Sequence, residues 1–386
     1  MRFGKFALLL AFVSPARAQV LAPPSWPVGQ AELKLAGEAS GALFSPDQPG
    51  WSGVQASGAL RLMPELKRNY DSGLSLALGG TFTAADPLSR GRYDGDWVER
   101  LAGSVGTGLG KIEAGITDGA GYGLAVTGPR VDPGVSLNDP RTSFFRDPNS
   151  HRAVSRMFAL RTQVGASSNY AKIVYTSPSL FGAQLALSFT PSEGKQLPFL
   201  NAGPHVAGRQ VEFWEAALRY ETDVGPVTLS AYGAVSESRA EHKLPGQEGT
   251  SDLGAGVKAD YPIAEDISLS LGGAYRQSNA YGFDVNQTWQ AGTTRVGHVS
   301  AAVTHGEWMA GVEYGTGTAD AVSNLPRLGL NGLEASIGYR VTDNVRISGG
   351  WQHQSYSRSA GVFFNGAPQL KMDAVFLHLT LNTSEE

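Results

Sequence analysis

"EDISLSLGGAYRQS", residues 265–278, decides how the chain must be read. Side chains of a strand alternate between its two faces, so Ile267, Leu269 and Leu271 share one face while Ser268, Ser270 and Gly272 share the other. An apolar row of this kind hides either in a protein core or against hydrocarbon. The choice depends on how often the pattern recurs and how long each copy is.

It recurs almost everywhere. GLSLALGGTF places Leu74, Leu76 and Leu78 on one face, FGAQLALSF does so with Leu185, Leu187 and Phe189, and AVFLHLTLN with Val375, Leu377, Leu379 and Leu381. Helical periodicity is hard to find. Between residues 31 and 382 there are about 16 such segments of about 10 residues, the length a tilted strand needs to cross a bilayer. Short turns at 223–226, 264–266 and 342–344 alternate with long polar stretches at 191–210, 238–251 and 356–370. That rhythm predicts an all-β fold, a transmembrane antiparallel up-and-down β-barrel with short turns on one side and long loops on the other. A soluble β-sandwich also alternates. Against it stand the small residues on the polar faces and the aromatics near strand ends, among them Trp97, Tyr220, Tyr261, Tyr275, Trp308 and Tyr339. Such girdles suit the headgroup boundary.

The bulk properties agree with an exported membrane protein. Residues 1–18 join Arg2 and Lys5 to a short apolar run and an Ala16-Arg17-Ala18 cleavage site, which reads as a signal peptide and leaves 19–386 as the barrel domain. Its removal leaves 28 bases against 35 acids, a net charge of −7. That balance argues against a nucleic-acid partner. With no cysteine, neither disulfides nor thiolate metal sites support the fold. Glycine is abundant, at 49 of 386 residues, yet it falls inside strand patterns, where a globular sandwich would rarely tolerate it.

GLGKIEAGITDGAG (108–121) resembles the strand leading into the long third loop of the general diffusion porins of the Gram-negative outer membrane, and NYAKIVYTSPSLFG (169–182) resembles the strand and Ser-Pro turn that follow. The resemblance implies a third loop, here 119–150, folded inward to narrow a water-filled pore. It also implies a homotrimer set in outer-membrane lipid and lipopolysaccharide, passive diffusion of small hydrophilic solutes and ions, and no cofactor. Two departures stand out. The chain ends in LTLNTSEE where the family commonly ends on an aromatic residue, and the acidic Pro-Glu-Phe-Gly stretch of many third loops is absent.

Alternation turns Lys34, Arg61, Arg100 and Lys172 to the lumen, because Leu33, Leu60, Leu101 and Ile173 take the lipid side. By resemblance these bases face acids on the loop, for which Asp132, Asp139 and Asp147 are the candidates, each followed by proline. A transverse field between the two rows would orient dipolar solutes. Lumen-facing Glu38, Glu113, Glu215 and Glu313 dilute it.

Signals for catalysis are poor. GTGLGK (106–111) departs from a phosphate loop at Val105 and Ile112, and its glycines fit a bend between strands. His298 and His305 stand seven apart, read as flanking a turn, which does not suit a zinc site. A substrate-selective channel, for instance for carbohydrate, is the nearest alternative. An outer-membrane hydrolase and an adhesive barrel lie further off.

Overall fold

The structure is a computed structural model that describes residues 22–48, 50–85, 97–132, 134–138, 144–145, 160–167, 170–193, 209–241, 243, 248–279, 292–320, 327–358 and 369–383. The expected signal peptide, Asp139 and Asp147 lie outside the described residues.

The first half of the chain gives β1 (Ser25–Val28), β2 (Ala31–Gln48), β3 (Trp51–Ser52), β4 (Gln55–Asn69), β5 (Ser75–Ala85), β6 (Val98–Thr107) and β7 (Gly110–Ile116). A one-turn helix, α1 (Ala120–Gly123), starts the long loop, and β8 (Ala171–Thr176) and β9 (Ala183–Ser192) follow it. Then come β10 (Gln210–Val224), β11 (Val227–Ala240), β12 (Ser251–Ala264), β13 (Ile267–Ser278) and β14 (Thr294–His305). The last are β15 (Trp308–Ala319), β16 (Leu328–Thr342), β17 (Val345–Arg358) and β18 (Gln369–Asn382).

Sixteen of these form one closed antiparallel barrel. Each pairs with the next along the chain, and β18 closes on β2 from Asp373↔Asp47 to Asn382↔Glu38. Of the two short strands, β1 continues that edge by pairing with residues 31–34, and β3 folds back on the end of β2. Closure satisfies the ladder of every strand, which hydrocarbon requires because it offers no hydrogen bonds.

The alternation sets the faces as expected. Leu271 and Tyr275 are 48% and 42% exposed on the outside of β13, whereas Arg276 and Ser278, of the opposite parity just beyond them, are buried inside. Ser270 turns inward and donates to Asp260, and Gly272 lies against Gly128 of the long loop. Aromatics gather at the ends of the outer band. Trp308 and Tyr339 pack with tilted rings 4.6 Å apart beside two short turns, and Phe189 and Trp214 do so at 4.5 Å toward the long loops. The phosphate-loop-like glycines fall on the 107–110 turn between β6 and β7, where Gly110 takes a φ of 122°. One expectation is corrected: His298 and His305 do not flank a turn but lie on the single strand β14, His298 buried inside and His305 exposed at its end.

Two apolar clusters lie inside the wall, and both contain loop residues. Val135, Leu137, Phe144 and Leu160 pack with Phe44, Leu330, Met372 and Phe376. Ala120, Leu124, Val126 and Val164 pack with Ala186, Ala217, Tyr232 and Ala234. Each large side chain removed from water in this way contributes about 1.5–3 kcal/mol.

Candidate pore and its lining

The inner wall has two different halves. On β4 to β7 it is lined by an alternating charge cluster. Arg61 lies between Glu38 at 3.1 Å and Glu99 at 2.9 Å, the first its cross-strand neighbour. Arg100 and Lys111 converge on Glu113 at 2.6 and 2.9 Å, and Thr117, at the root of the loop, donates to the same carboxylate. Arg100 and Lys111 keep about half of their side-chain surface open, at 44% and 50%, while Glu113 is nearly covered. Lys34 is exposed across the strand pair from Glu65.

On β8 to β18 the described loop segments cover the wall. Outward along this half, the α1 amides meet Ser188 and Glu215: Ala120 N–H donates to Ser188 Oγ at 3.1 Å, and Gly121 N–H to Glu215 Oε2 at 3.4 Å. Further along, Val131 reaches Gly311 and Gly338 on β15 and β16. Asp132 then accepts hydrogen bonds from Ser348 on β17 and from His378 on β18, the latter at 2.5 Å, and from the Gly134 amide at 2.8 Å. Next, Ser136 Oγ donates to Glu313 Oε2 at 2.6 Å, and that same oxygen lies 3.1 Å from His298 Nε2. Gln352 donates to the Val135 carbonyl at 3.2 Å and to Glu334 at 2.8 Å. Phe144 sits between Phe44 and Phe376, with ring centroids at 4.8 and 5.3 Å.

The returning segment is tied to the outgoing one, since Asn138 and Thr162 exchange hydrogen bonds of 2.8 and 2.9 Å. It reaches β12 where Gly165 N–H donates to Asp252 at 3.2 Å, an acid already paired with Arg276 at 2.6 Å. It ends where buried Lys172 donates to Ser167 Oγ at 2.8 Å and to its carbonyl at 3.2 Å.

Glycine makes this seating possible. A β-carbon on Gly311 would stand 2.8 Å from Val131 Cγ2, one on Gly272 2.8 Å from Gly128 Cα, and one on Gly332 2.7 Å from Leu160 Cδ1. All are closer than carbon atoms approach, so the loop needs the inner face of β13 to β16 stripped to backbone at these points.

The sequence-selected residues therefore fall into separate places. Arg61 and Arg100 share the charged half with Glu38, Glu99 and Glu113. Lys172 is enclosed at the foot of the loop, and Asp132 is enclosed against β17 and β18. Burial pushes the Asp132 carboxyl up, but His378, Ser348 and the Gly134 amide together hold it below the usual range. The loop anchors His378, Ser348 and Gln352 were not singled out from the sequence, and Glu313 was read there as a lumen acid without a loop partner. The signal that points to them is the run of inward-parity glycines on β13 to β16. Among the described residues no three His, Asp or Glu side chains converge on a metal position.

A closed sixteen-strand barrel with an apolar outside and a polar inside spanned by a long loop defines a membrane channel of the porin type. The chain belongs to the Gram-negative porin family, whose model matches residues 6–361, and so it is an outer-membrane porin. Its fold is similar to that of OmpF of Salmonella typhi in complex with daunomycin (12% identity, TM-score 0.59, covering 93% of this chain and 100% of that one). It is similar also to an anion-selective porin from Comamonas acidovorans (12%, 0.57, 91% and 99%) and to the trimer form of OmpT from Vibrio cholerae (12%, 0.56, 91% and 99%). A search of curated proteins returned no match.

Proposed function

We propose that this porin passes small hydrophilic solutes and ions by passive diffusion through a lumen that the long loop narrows from one side. The observation that carries the reading is the seat of Val131, Asp132 and Ser136 on β14 to β18, inside the wall and far along the chain from the strands that hold the loop's ends. A loop lying there takes cross-section from the channel, and flow through a narrow aqueous pore scales with open area.

Deleting residues 131–147 should therefore raise single-channel conductance in a planar bilayer and admit larger sugars in a liposome-swelling assay. A folded deletion with wild-type conductance and size limit would overturn the reading. Assembly as a homotrimer in outer-membrane lipid and lipopolysaccharide is supported by the trimer form of the Vibrio cholerae relative, and export by a signal peptide cleaved after residue 18 by the composition of that segment. The channel reading includes no cofactor and no catalysis, so detergent-solubilised protein should lack lipase and protease activity. Little favours a carbohydrate path, because Tyr220, Tyr261, Tyr275 and Trp308 stand on the outer face.

A further inference from the structure

The Ser-Pro turn between β8 and β9 lies at the short-turn end of the barrel and takes no part in the pore, yet it is firmly built. Ser177 N–H donates to the Leu185 carbonyl at 2.8 Å, and Leu185 N–H returns a bond of 2.9 Å to Ser177 Oγ. Glu221 N–H on β10 donates to the Gly182 carbonyl at 2.9 Å. The tip of the turn, Phe181-Gly182, takes φ of 51° and 82°. Positive φ at both central residues is the hairpin geometry that favours Asn or Asp before Gly, and a bulky side chain is disfavoured there. Phe181 adopts it nonetheless and is fully exposed. A ring held in this way gains nothing from its own chain, so the strain points to a contact outside it.

Two neighbours share its character. Leu180, opposite Ala183 in an isolated bridge, is 62% exposed, and Leu109, on the adjacent turn between β6 and β7, is 82% exposed. Tyr175 Oη donates to the Leu109 carbonyl at 2.8 Å and so joins the two turns. The three apolar tips lie beyond Tyr175 and Tyr220, on the side away from the midplane, and continue the outer band of Ile112, Ile173, Leu185 and Leu187. Elsewhere around the same end the rim changes. Beyond Tyr261, Trp308 and Tyr339 the turns carry exposed Glu265, Asp266, Glu307 and Asp343.

We infer that Phe181, Leu180 and Leu109 form a membrane anchor, immersed in phospholipid at the boundary of headgroups and acyl chains, whereas the acidic turns opposite stay in water. The short turns of such barrels face the periplasm, so the leaflet is the periplasmic one. Aromatic rings suit that boundary, and leucine suits the acyl side of it. Three side chains alone fall far short of the roughly 800 Å² per partner of a stable protein interface, and their continuity with the lipid-facing band makes lipid the occupant. An apolar face that is taller on one side is accommodated by tilt or by local adjustment of the bilayer. The edge of the membrane therefore crosses this barrel obliquely, lower on β6 to β9 than on β12 to β17.

The absence of cysteine allows a direct test. Phe181→Cys, Leu109→Cys and Asp343→Cys each carry a single thiol, which is labelled with the same small environment-sensitive fluorophore before the folded channel is placed in phospholipid vesicles. Quenching by a nitroxide on a shallow acyl carbon of the lipid is compared with quenching by iodide present on both sides of the membrane. At positions 181 and 109 the lipid nitroxide should quench severalfold more strongly than at 343, and iodide severalfold less. The label at 343 controls for the fluorophore's own affinity for lipid.

Iodide quenching at 181 and 109 as strong as at 343 would put the tips in water and overturn the inference. Shielding from both quenchers would put them against protein, a second copy of the chain included, and overturn it equally. Should the labelled 181 variant fail to fold, position 109 decides in the same way, because it sits on a separate turn. Neither outcome depends on where the long loop lies.

Discussion

Ser270 and Leu269 are neighbours in sequence and lie on opposite sides of a wall, which makes single substitutions informative. Leu269 is on the outer face beside Val303, and Leu269→Arg should hinder folding by roughly 2–4 kcal/mol near the midplane, measured by urea titration in lipid vesicles. Ser270→Arg, next to Asp260, should fold normally and alter conductance. Equal folding defects would contradict the assigned faces. Asp132 offers a second test at this scale. Its folded carboxyl is held below the ordinary value, so its stabilisation of the loop is complete above the unfolded pKa of about 3.9 and is lost as pH falls through the folded value. His378 faces it directly, and Glu334 is another acid within electrostatic reach. Current noise from a loosened loop should appear only below about pH 4. Asp132→Asn, which weakens the anchor by about 1–3 kcal/mol, should bring that noise to neutral pH.

Strand and loop meet through missing side chains, and the outcome of filling them is specific. Gly311→Val places methyl groups where Val131 already sits. The barrel can form without the loop in that seat, because the β15 ladders to β14 and β16 are backbone bonds. Expected is a folded channel with raised conductance and faster protease cleavage within 119–150, while Gly233→Val, on the outer face with open space around it, should change neither. A Gly311 variant with unchanged conductance and cleavage would mean that the seat does not hold the loop. On the charged half, reversing Arg61 and Arg100 to Glu should move the reversal potential toward cations, since each change alters the lumen by two charges. No movement would place these residues away from the narrow part.

For the molecule as a whole, legibility followed the range of the interactions. Period-two alternation is local, so the faces of β13, the strand number and the short turns could be read from residues such as Leu269 and Ser270 alone. The seating of the loop could not, because Asp132 and His378 are 246 residues apart and Asp132 and Ser348 are 216 apart. Nothing local in Asp132-Pro133 says whether the acid meets a basic wall or a histidine. Lys172 shows the same limit: alternation gave its face correctly, but its enclosure depends on Ser167 and the returning chain. The distance between the loop and its anchor also bears on biogenesis. The loop emerges between β7 and β8, yet its far anchor, His378, belongs to β18, the strand that closes on β2. The far part of the loop therefore has its seat only once β18 is paired, and closing that seam completes both the cylinder and its narrowing. A barrel that lacks this seam would be the leaky form, because the strand that shuts the wall also holds the loop across it.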